Sequence, residues 1–310
     1  MASLVSINLS AERGTGKQPS ATGQVTSRGI DGDAHAGSWH RQVSLLAMES
    51  IRQFGEQCGR EFRPGEFAEN LTTEGLDLEG VAMLDRIHIG EVELEVTQIG
   101  KECHGQACAI ARDLGKCVMP RSGIFCRVIQ TGTIRPGDPM RHLTRQVAIA
   151  IITVSDRASR GEYRDASGPA VRARVQDHFA RSQWRAQVAE SLIVPDDVQR
   201  LRQAVERTLA SGCRILITTG GTGLGPRDIT PDVIRPMLDR EIPGVMESVR
   251  VKYGSVNPSA LLSRSIAGMI GSTLVYSLPG SSRAVEEYLD EILPILDHSL
   301  RMVAGIDSHG

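Results

Sequence analysis

A chain of 310 residues is long enough for two domains, each able to close a core of its own. With 35 basic and 37 acidic side chains the net charge is −2, so nothing draws the chain in general to nucleic acid or to an anionic membrane. The longest apolar run near the middle, Val147 to Ile152, is too short to span a bilayer, no basic segment with an apolar stretch after it opens the chain, and a cytoplasmic protein is expected.

In chain order, the first predicted helix runs from about Ser44 to Phe54. Ile87 and Ile89, then Val92, Leu94 and Val96, alternate with polar neighbours on either side of Gly90-Glu91, which predicts a hairpin. Further short segments, Ile124 to Ile129 among them, are separated by Gly-rich turns, so a mostly β barrel is expected. Five of the six cysteines (Cys58, Cys103, Cys108, Cys117 and Cys126) fall in this part, too sparse for a disulfide framework. The spacing of Cys103, His104, Cys108, Cys117 and Cys126 permits a structural zinc site but contains no Cys-x-x-Cys pair; for Cys58 and Cys126 a buried thiol is the simpler reading. The turn-rich stretch Arg135 to Pro139 then leads into a linker near 141–146, dividing the chain into residues 1–142 and 146–310.

Past the linker an apolar strand, a turn and an amphipathic helix recur. The strand-like runs are Val147 to Val154, Val188 to Val194, Arg214 to Thr218 and Thr273 to Leu278; Val198, Leu201, Val205 and Leu209 form a helical face closed by Gly212. This predicts a three-layer α/β domain with a parallel sheet, whose ligand site is expected in the loops after Val154, Val194, Thr218 and Leu278. The stretch Thr218 to Asp232 has the composition of a phosphate cradle: glycines turn backbone N–H groups toward an anion, threonines add hydroxyl donors, and Thr230-Pro231 reads as a helix cap with proline at the first helical position. It lacks the Gly-Lys-Ser/Thr ending of a P-loop and the dinucleotide Gly-x-Gly-x-x-Gly spacing. Taken by itself, a plain tight turn is the alternative.

Residues 147–305 resemble the molybdopterin adenylyltransferases, the MogA/MoaB-like domains of molybdenum cofactor synthesis. The blocks that carry the likeness are Thr153-Val154-Ser155-Asp156-Arg157 with Gly161 and Asp165-Ala166-Ser167-Gly168-Pro169, then Val194-Pro195-Asp196-Asp197, the Gly-rich stretch through Asp232, Leu262-Ser263-Arg264-Ser265, Gly271-Ser272-Thr273, and Leu278-Pro279-Gly280. Ser281-Ser282 departs from the Asn-Pro usual in relatives. The resemblance implies transfer of AMP from ATP to the terminal phosphate of molybdopterin, with Mg²⁺ held by carboxylates; Asp196 and Asp228 are the candidates for catalysis and for the metal, an Asx-turn residue being the alternative for Asp228 taken alone. Asp197 reads as the N-cap of the helix beginning at Val198. Ser155, Asp156, Ser167, Gly168, Thr219, Gly220, Gly221, Thr222, Gly223, Ser272, Pro279, Gly280 and Ser281 are candidates for nucleotide and substrate contact. For Ser167-Gly168 the alternatives are an anion at the helix start and a plain cap, and for Ser272 a turn into a strand.

Residues 22–140 resemble the MOSC domain, a β-barrel family linked to sulfur handling on the molybdenum cofactor. The likeness rests on Gly29 through Gly37, Pro64 through Leu71, Ile99-Gly100-Lys101-Glu102-Cys103, and Arg121 through Val128. It implies a role for Cys103 in persulfide or cofactor ligation, with Lys101 close enough to lower a thiol's pKa. His35 reads either as a ligand or as a hydrogen-bonded barrel histidine. The whole is expected to be a fusion serving one cofactor pathway, with molybdopterin, ATP and Mg²⁺ at the second domain and molybdenum cofactor at the first. A homo-oligomer, trimeric as in the family, and contact with other proteins of the pathway are expected. The competing readings are a non-catalytic scaffold and delivery protein, and a MOSC half acting as a molybdenum reductase on N-hydroxylated compounds.

Overall fold

The computed structural model describes residues 1–101 and 117–306. The candidates Cys103, His104 and Cys108 lie outside the described residues. The chain divides into two compact units, Met1–Arg145 and a second beginning at Gln146.

Among the described residues the first unit has strands β1 (Ser3–Leu9), β2 (Gln18–Ser20), β3 (Gly23–Thr26), β4 (Gly29–Ile30), β5 (Val43–Ala47), β6 (Leu71–Glu74), β7 (Arg86–Ile89), β8 (Val92–Ile99), β9 (Ile124–Gln130), β10 (Gly132–Ile134) and β11 (Met140–Leu143). Eight of them form one sheet in the order β11-β7-β8-β9-β5-β6-β1-β2, and β10-β3-β4 form a second. The β7–β8 hairpin turns at Gly90, whose φ of 58° suits glycine, and its five alternating aliphatic residues are all buried. Only β5 and β6 pair in parallel within the large sheet. Ser3 bridges Pro139, with hydrogen bonds from Leu4 N to Asp138 O (3.0 Å) and from Gly137 N to Leu4 O (2.7 Å), so the flanks of the sheet meet without a continuous closing ladder. The closed barrel expected from the sequence is therefore a curled, mostly antiparallel sheet in its pairing.

The predicted first helix begins later than its apolar spacing suggests. Val43–Ala47 is a wholly buried strand between β6 and β9, and the helix, α1, spans Met48–Cys58. The period of two explains this: Leu45 points into the sheet core with Ile7, Leu71 and Val96, whereas Leu46 packs with Phe54, Phe62 and Phe67 beneath α1. A strand with an apolar core on each face reads as an unbroken apolar run, which periodicity cannot separate from the start of a helix.

The second unit contains β12 (Val147–Val154), α2 (Ser167–Phe179), β13 (Ala186–Val194), α3 (Val198–Ala210), β14 (Ile215–Thr219), β15 (Arg240–Glu241), α4 (Pro243–Gly254), β16 (Ala267–Ile270), β17 (Thr273–Leu278) and α5 (Ser282–Val303). Its sheet order is β13-β12-β14-β17-β16-β15. The first four strands are parallel, and β16 and β15 extend the sheet antiparallel. The expected all-parallel sheet is corrected to this extent because Gly271-Ser272 makes a two-residue turn between β16 and β17, with Gly271 at φ 57°. Ala150, Ile152 and Val154 pack under Leu201 and Val205 of α3, while α2 and α5 pack together on the face to which Ile149 and Ile151 point. Val198, placed on the buried face of α3 by its spacing, is 49% exposed, since it opens the helix beyond the sheet.

This strand order positions the site. From β12 the chain crosses by α2 to β13 on one side, then returns by α3 to β14 on the other. The direction of winding reverses at β12, so the loops after β12 and β14 diverge and leave a crevice beyond their carboxyl ends. Among the described residues no helix is long and apolar enough to cross a membrane.

Candidate active site

A cavity of about 600 Å³ occupies that crevice. Its floor is the glycine-rich loop. Gly220 leaves β14 at φ 99°, and a Cβ there would lie 2.3 Å from the carbonyl oxygen of Val154, so only glycine allows the ends of β12 and β14 to approach. Gly220 N–H donates to Leu278 O (2.9 Å) and Thr219 Oγ1 to Pro279 O (2.8 Å), which fastens the loop to the end of β17. Thr230 is the first residue of a short helix, Thr230–Ile234, after Ile229 at the N-cap position, and its hydroxyl donates to Gly220 O (2.8 Å). Thr230 therefore does not cap the helix as its sequence suggests; it staples the two ends of the loop. Arg264 holds the outer side, donating from Nε to Gly223 O (2.8 Å), to both carboxylate oxygens of Asp232, and to Asp228 O. With the loop so fixed, the amides of Gly221, Thr222 and Gly223 make no hydrogen bond among the described residues. All three residues line the cavity.

Asp196 and Asp228 both line the same cavity. Burial, and after it the negative charge of Asp228, push the Asp196 carboxyl above the ordinary aspartate range. Asp228 accepts from Gly225 N–H (2.8 Å) through Oδ2, which also lies beside Gly223. Asp196 is fixed by a reciprocal pair: its Oδ2 accepts from Asp156 N–H (2.9 Å), and Asp156 Oδ1 accepts from Asp196 N–H (3.0 Å). Arg227 completes this arrangement through Asp156 Oδ2. Asp156 is thus turned toward Asp196 and Arg227 instead of lining the cavity. Asp197 caps α3, accepting from Arg200 N–H (2.9 Å).

Ser155, Ser167, Pro279, Gly280 and Ser281 also line the cavity. At the start of α2, however, the anion is the protein's own. Asp165 Oδ1 accepts from Ser167 N–H (2.9 Å), Ser167 Oγ (2.9 Å) and Gly168 N–H (3.2 Å), while its Oδ2 accepts from Thr153 Oγ1 (2.7 Å). Asp165 thus occupies these donors, and Gly168 is needed there because a Cβ would lie 2.5 Å from Asp165 Oδ2. Ser272 is not brought to the site: it is exposed in the β16–β17 turn, at the amino end of β17, a full strand or roughly 20 Å from the cavity at a rise of about 3.3 Å per residue.

Related chains are found for both parts of the sequence. A family model described as a probable molybdopterin binding domain matches residues 150–298, and a MOSC domain model matches residues 32–141. The chain is 37% identical over 164 residues to a molybdenum cofactor biosynthesis bifunctional protein of Synechococcus elongatus, a match covering 53% of this chain and 49% of the relative. It thus spans about half the length of that relative. It is 32% identical over 151 residues to the molybdopterin adenylyltransferase of Haemophilus influenzae, covering 48% of this chain and 75% of the relative. The chain belongs to the MogA/MoaB-like molybdopterin-binding family. It is also similar to the crystal structure of the molybdopterin biosynthesis enzyme MoaB from Thermus thermophilus, with 37% identity, a TM-score of 0.47, and coverage of 52% of this chain and 98% of that one.

Sequence reasoning missed the wall of this MogA/MoaB-like cavity. Arg283, Glu287 and Tyr288 come from the first turns of α5, and Asn257 and Ser259 from the segment after α4. Their signal is a period of three to four beginning at the Ser281 cap, whose Oγ accepts from Ala284 N–H (3.2 Å). Tyr163 forms part of the rim, under the guanidinium of Arg157 at 5.3 Å.

In the N-terminal unit a second polar cluster is buried. Lys17 Nζ meets Asp33 Oδ2 at 2.5 Å with both side chains fully inaccessible, and lies 3.2 Å from His35 Nδ1. Although burial opposes it, hydrogen bonds from His35 and Lys17 hold the Asp33 carboxyl below the ordinary range. Burial lowers Lys17 and raises Glu69. Glu69 Oε1 accepts from Gly65 N–H (2.6 Å) and Thr72 Oγ1 (2.8 Å), and its Oε2 has no hydrogen-bond partner among the described residues. The His35 amide donates to Asp33 Oδ1 (2.9 Å), and its ring lies 6.2 Å from that of Trp39. Lys101 donates its amide to Pro120 O (3.3 Å). Cys126 is buried in β9, where burial raises its thiol pKa, and among the described residues no three His, Cys, Asp or Glu side chains are grouped to hold a metal.

Proposed function

We propose that the C-terminal unit is a molybdopterin adenylyltransferase. The terminal phosphate oxygen of molybdopterin attacks the α-phosphorus of ATP, a P–O bond forms, the bond to the bridging oxygen breaks, and pyrophosphate leaves with the electron pair. The observation that supports this most is the pairing of Asp196 and Asp228 in one cavity beside three unengaged loop amides. Two carboxylates close enough to repel each other suit a shared divalent cation, and a hard, oxygen-liganded Mg²⁺ is commonly held by one or two carboxylates together with substrate phosphates. When bound, Mg²⁺ supplies neutralisation of phosphoryl charge.

The protein's own residues do the rest of the work in this reading. The amides of Gly221, Thr222 and Gly223 receive phosphoryl oxygens, and Asp156 and Arg227 keep Asp196 facing the cavity. Arg264 and Thr230 hold the loop rigid, so that its donors need no rearrangement as the phosphates meet. Ser167 and Gly168 act through Asp165 to fix the wall at the end of β12. Incubating the chain with Mg²⁺, ATP and molybdopterin should yield adenylylated molybdopterin, and Asp228→Ala should abolish it; an undiminished yield from that variant refutes the assignment.

For the N-terminal unit we take the curled sheet as a MOSC-like barrel that binds molybdenum cofactor near Lys17, His35 and Glu69. The wholly buried Oε2 of Glu69, without a hydrogen-bond partner among the described residues, supports a ligand there. Cys103 as the sulfur or metal ligand rests on the resemblance. Molybdenum retained by the wild-type chain and released by Cys103→Ser would support the assignment, and equal retention would refute it. A homo-oligomer is part of the same reading, testable by light scattering.

A further inference from the structure

The proposed reaction, on which this inference rests, brings two polyanions into a cavity whose charged lining is mainly acidic. Asp165, Asp196, Asp228 and Glu287 line it, and Arg283 is the one lysine or arginine among the described residues that does. The arginines around it are engaged elsewhere. Arg227 holds Asp156, Arg264 holds Asp232 and two loop carbonyls, and Arg157 lies over Tyr163. Arg283 is bound only lightly: its Nε meets Glu287 Oε1 at 2.9 Å, one helical turn on, with the arginine side chain 74% exposed and the glutamate 21%. An exposed i,i+4 pair of this kind is weak and easily exchanged.

We propose that Arg283 is the specificity-determining cation of this site, passing from Glu287 to a phosphoryl oxygen of the incoming ester. Glu287 is its resting partner. It holds the guanidinium in a pair of its own, with no ion pair from Arg283 to Asp196 or Asp228 among the described residues, and so leaves those carboxylates free for a metal. A phosphate dianion offers the fork of Arg283 two oxygens and a higher charge than a carboxylate, so arrival of the ester reverses the preference. A neutral nucleoside offers no such exchange and gains nothing from it. The position also explains why the first turns of α5 matter although they lie outside the glycine loop: Ser281 caps the helix, and residues 283, 284, 287 and 288 follow on the one face that lines the cavity.

Calorimetric titration of the full chain with Mg-ATP, with molybdopterin and with adenosine tests this. Arg283→Ala should weaken binding of at least one phosphate ester about tenfold and leave adenosine unchanged, with Arg283→Lys intermediate. The ester that weakens, ATP or molybdopterin, identifies whose phosphate the guanidinium takes. Glu287→Gln should tighten the same ester about threefold, and most of that gain should vanish in the Arg283→Ala background. Unchanged binding of both esters by Arg283→Ala overturns the inference alone. So does a Glu287→Gln gain that persists in full in the double variant, since that would be simple repulsion through space. A wild-type chain that binds neither ester overturns the adenylyltransferase reading as well.

Discussion

A methyl group at position 223 asks whether Asp228 must be held where it is. The backbone of Gly223 is not among the positive-φ glycines, so alanine is allowed there without strain. Its Cβ, however, would lie 2.7 Å from Asp228 Oδ2, and the carboxylate must retreat by about 0.7 Å to reach the 3.4 Å of ordinary contact. That movement stretches the 2.8 Å hydrogen bond from Gly225 N–H. Weakening one such bond costs about 1 kcal/mol. Alanine offsets about 0.4–1 kcal/mol of this by restricting the unfolded chain. The net change should stay under about 1 kcal/mol, or roughly 2–4 °C in the melting temperature of a unit of this size. Activity should suffer far more, since misplacing a reacting group by about 1 Å commonly costs on the order of a hundredfold. Thermal unfolding and Mg-ATP-dependent adenylylation by Gly223→Ala, run side by side, should show a tenfold to hundredfold fall in kcat at nearly constant stability. Activity within threefold of wild type would refute the claim that the position of Asp228 matters.

The neighbouring Gly220→Ala should behave in the opposite way, since its Cβ meets the Val154 carbonyl at 2.3 Å and its φ is 99°; strain and overpacking together should cost about 3 kcal/mol or more, seen as a melting point lowered by roughly 6–12 °C. Asp228→Asn should lower the Asp196 titration midpoint, followed by carbon-13 NMR, because it removes one of the two causes that raise it. The sign for stability follows: a carboxyl whose folded pKa is raised contributes stability that is fully present below the ordinary value near 3.8 and is lost as pH rises through the folded value, so at pH 7 Asp228→Asn should resist urea at least as well as wild type. Lys17→Met should destabilise the N-terminal unit by about 3–5 kcal/mol, read from its urea midpoint, because it leaves the Asp33 carboxylate buried without its ammonium partner.

Much of the second unit is legible in its sequence because β12, β14 and β17 are buried on both faces and therefore appear as continuous apolar runs. The glycine loop is legible too, since its chemistry is contiguous from Thr219 to Asp228. What the sequence hides is whatever tertiary packing supplies. Arg283 and Tyr288 reach the cavity only because α5 lies against α2, and Asp156 turns away from it because the amide of Asp196 arrives from the next strand end. Ser272 misleads because a Gly-Ser-Thr tripeptide has the same composition at either end of a strand, and only the β16–β17 hairpin says which end it occupies. In the first unit, Lys17 and Glu69 stand more than fifty residues apart in the chain, and neither carries a local pattern that predicts its burial.

The most direct test is a crystal of the chain soaked with Mg²⁺ and a non-hydrolysable ATP analogue. Phosphoryl oxygens should lie against the amides of Gly221, Thr222 and Gly223, with a metal ion reached by both Asp196 and Asp228. A nucleotide bound elsewhere, or phosphates seated in this cavity with neither aspartate near the metal, would contradict this arrangement.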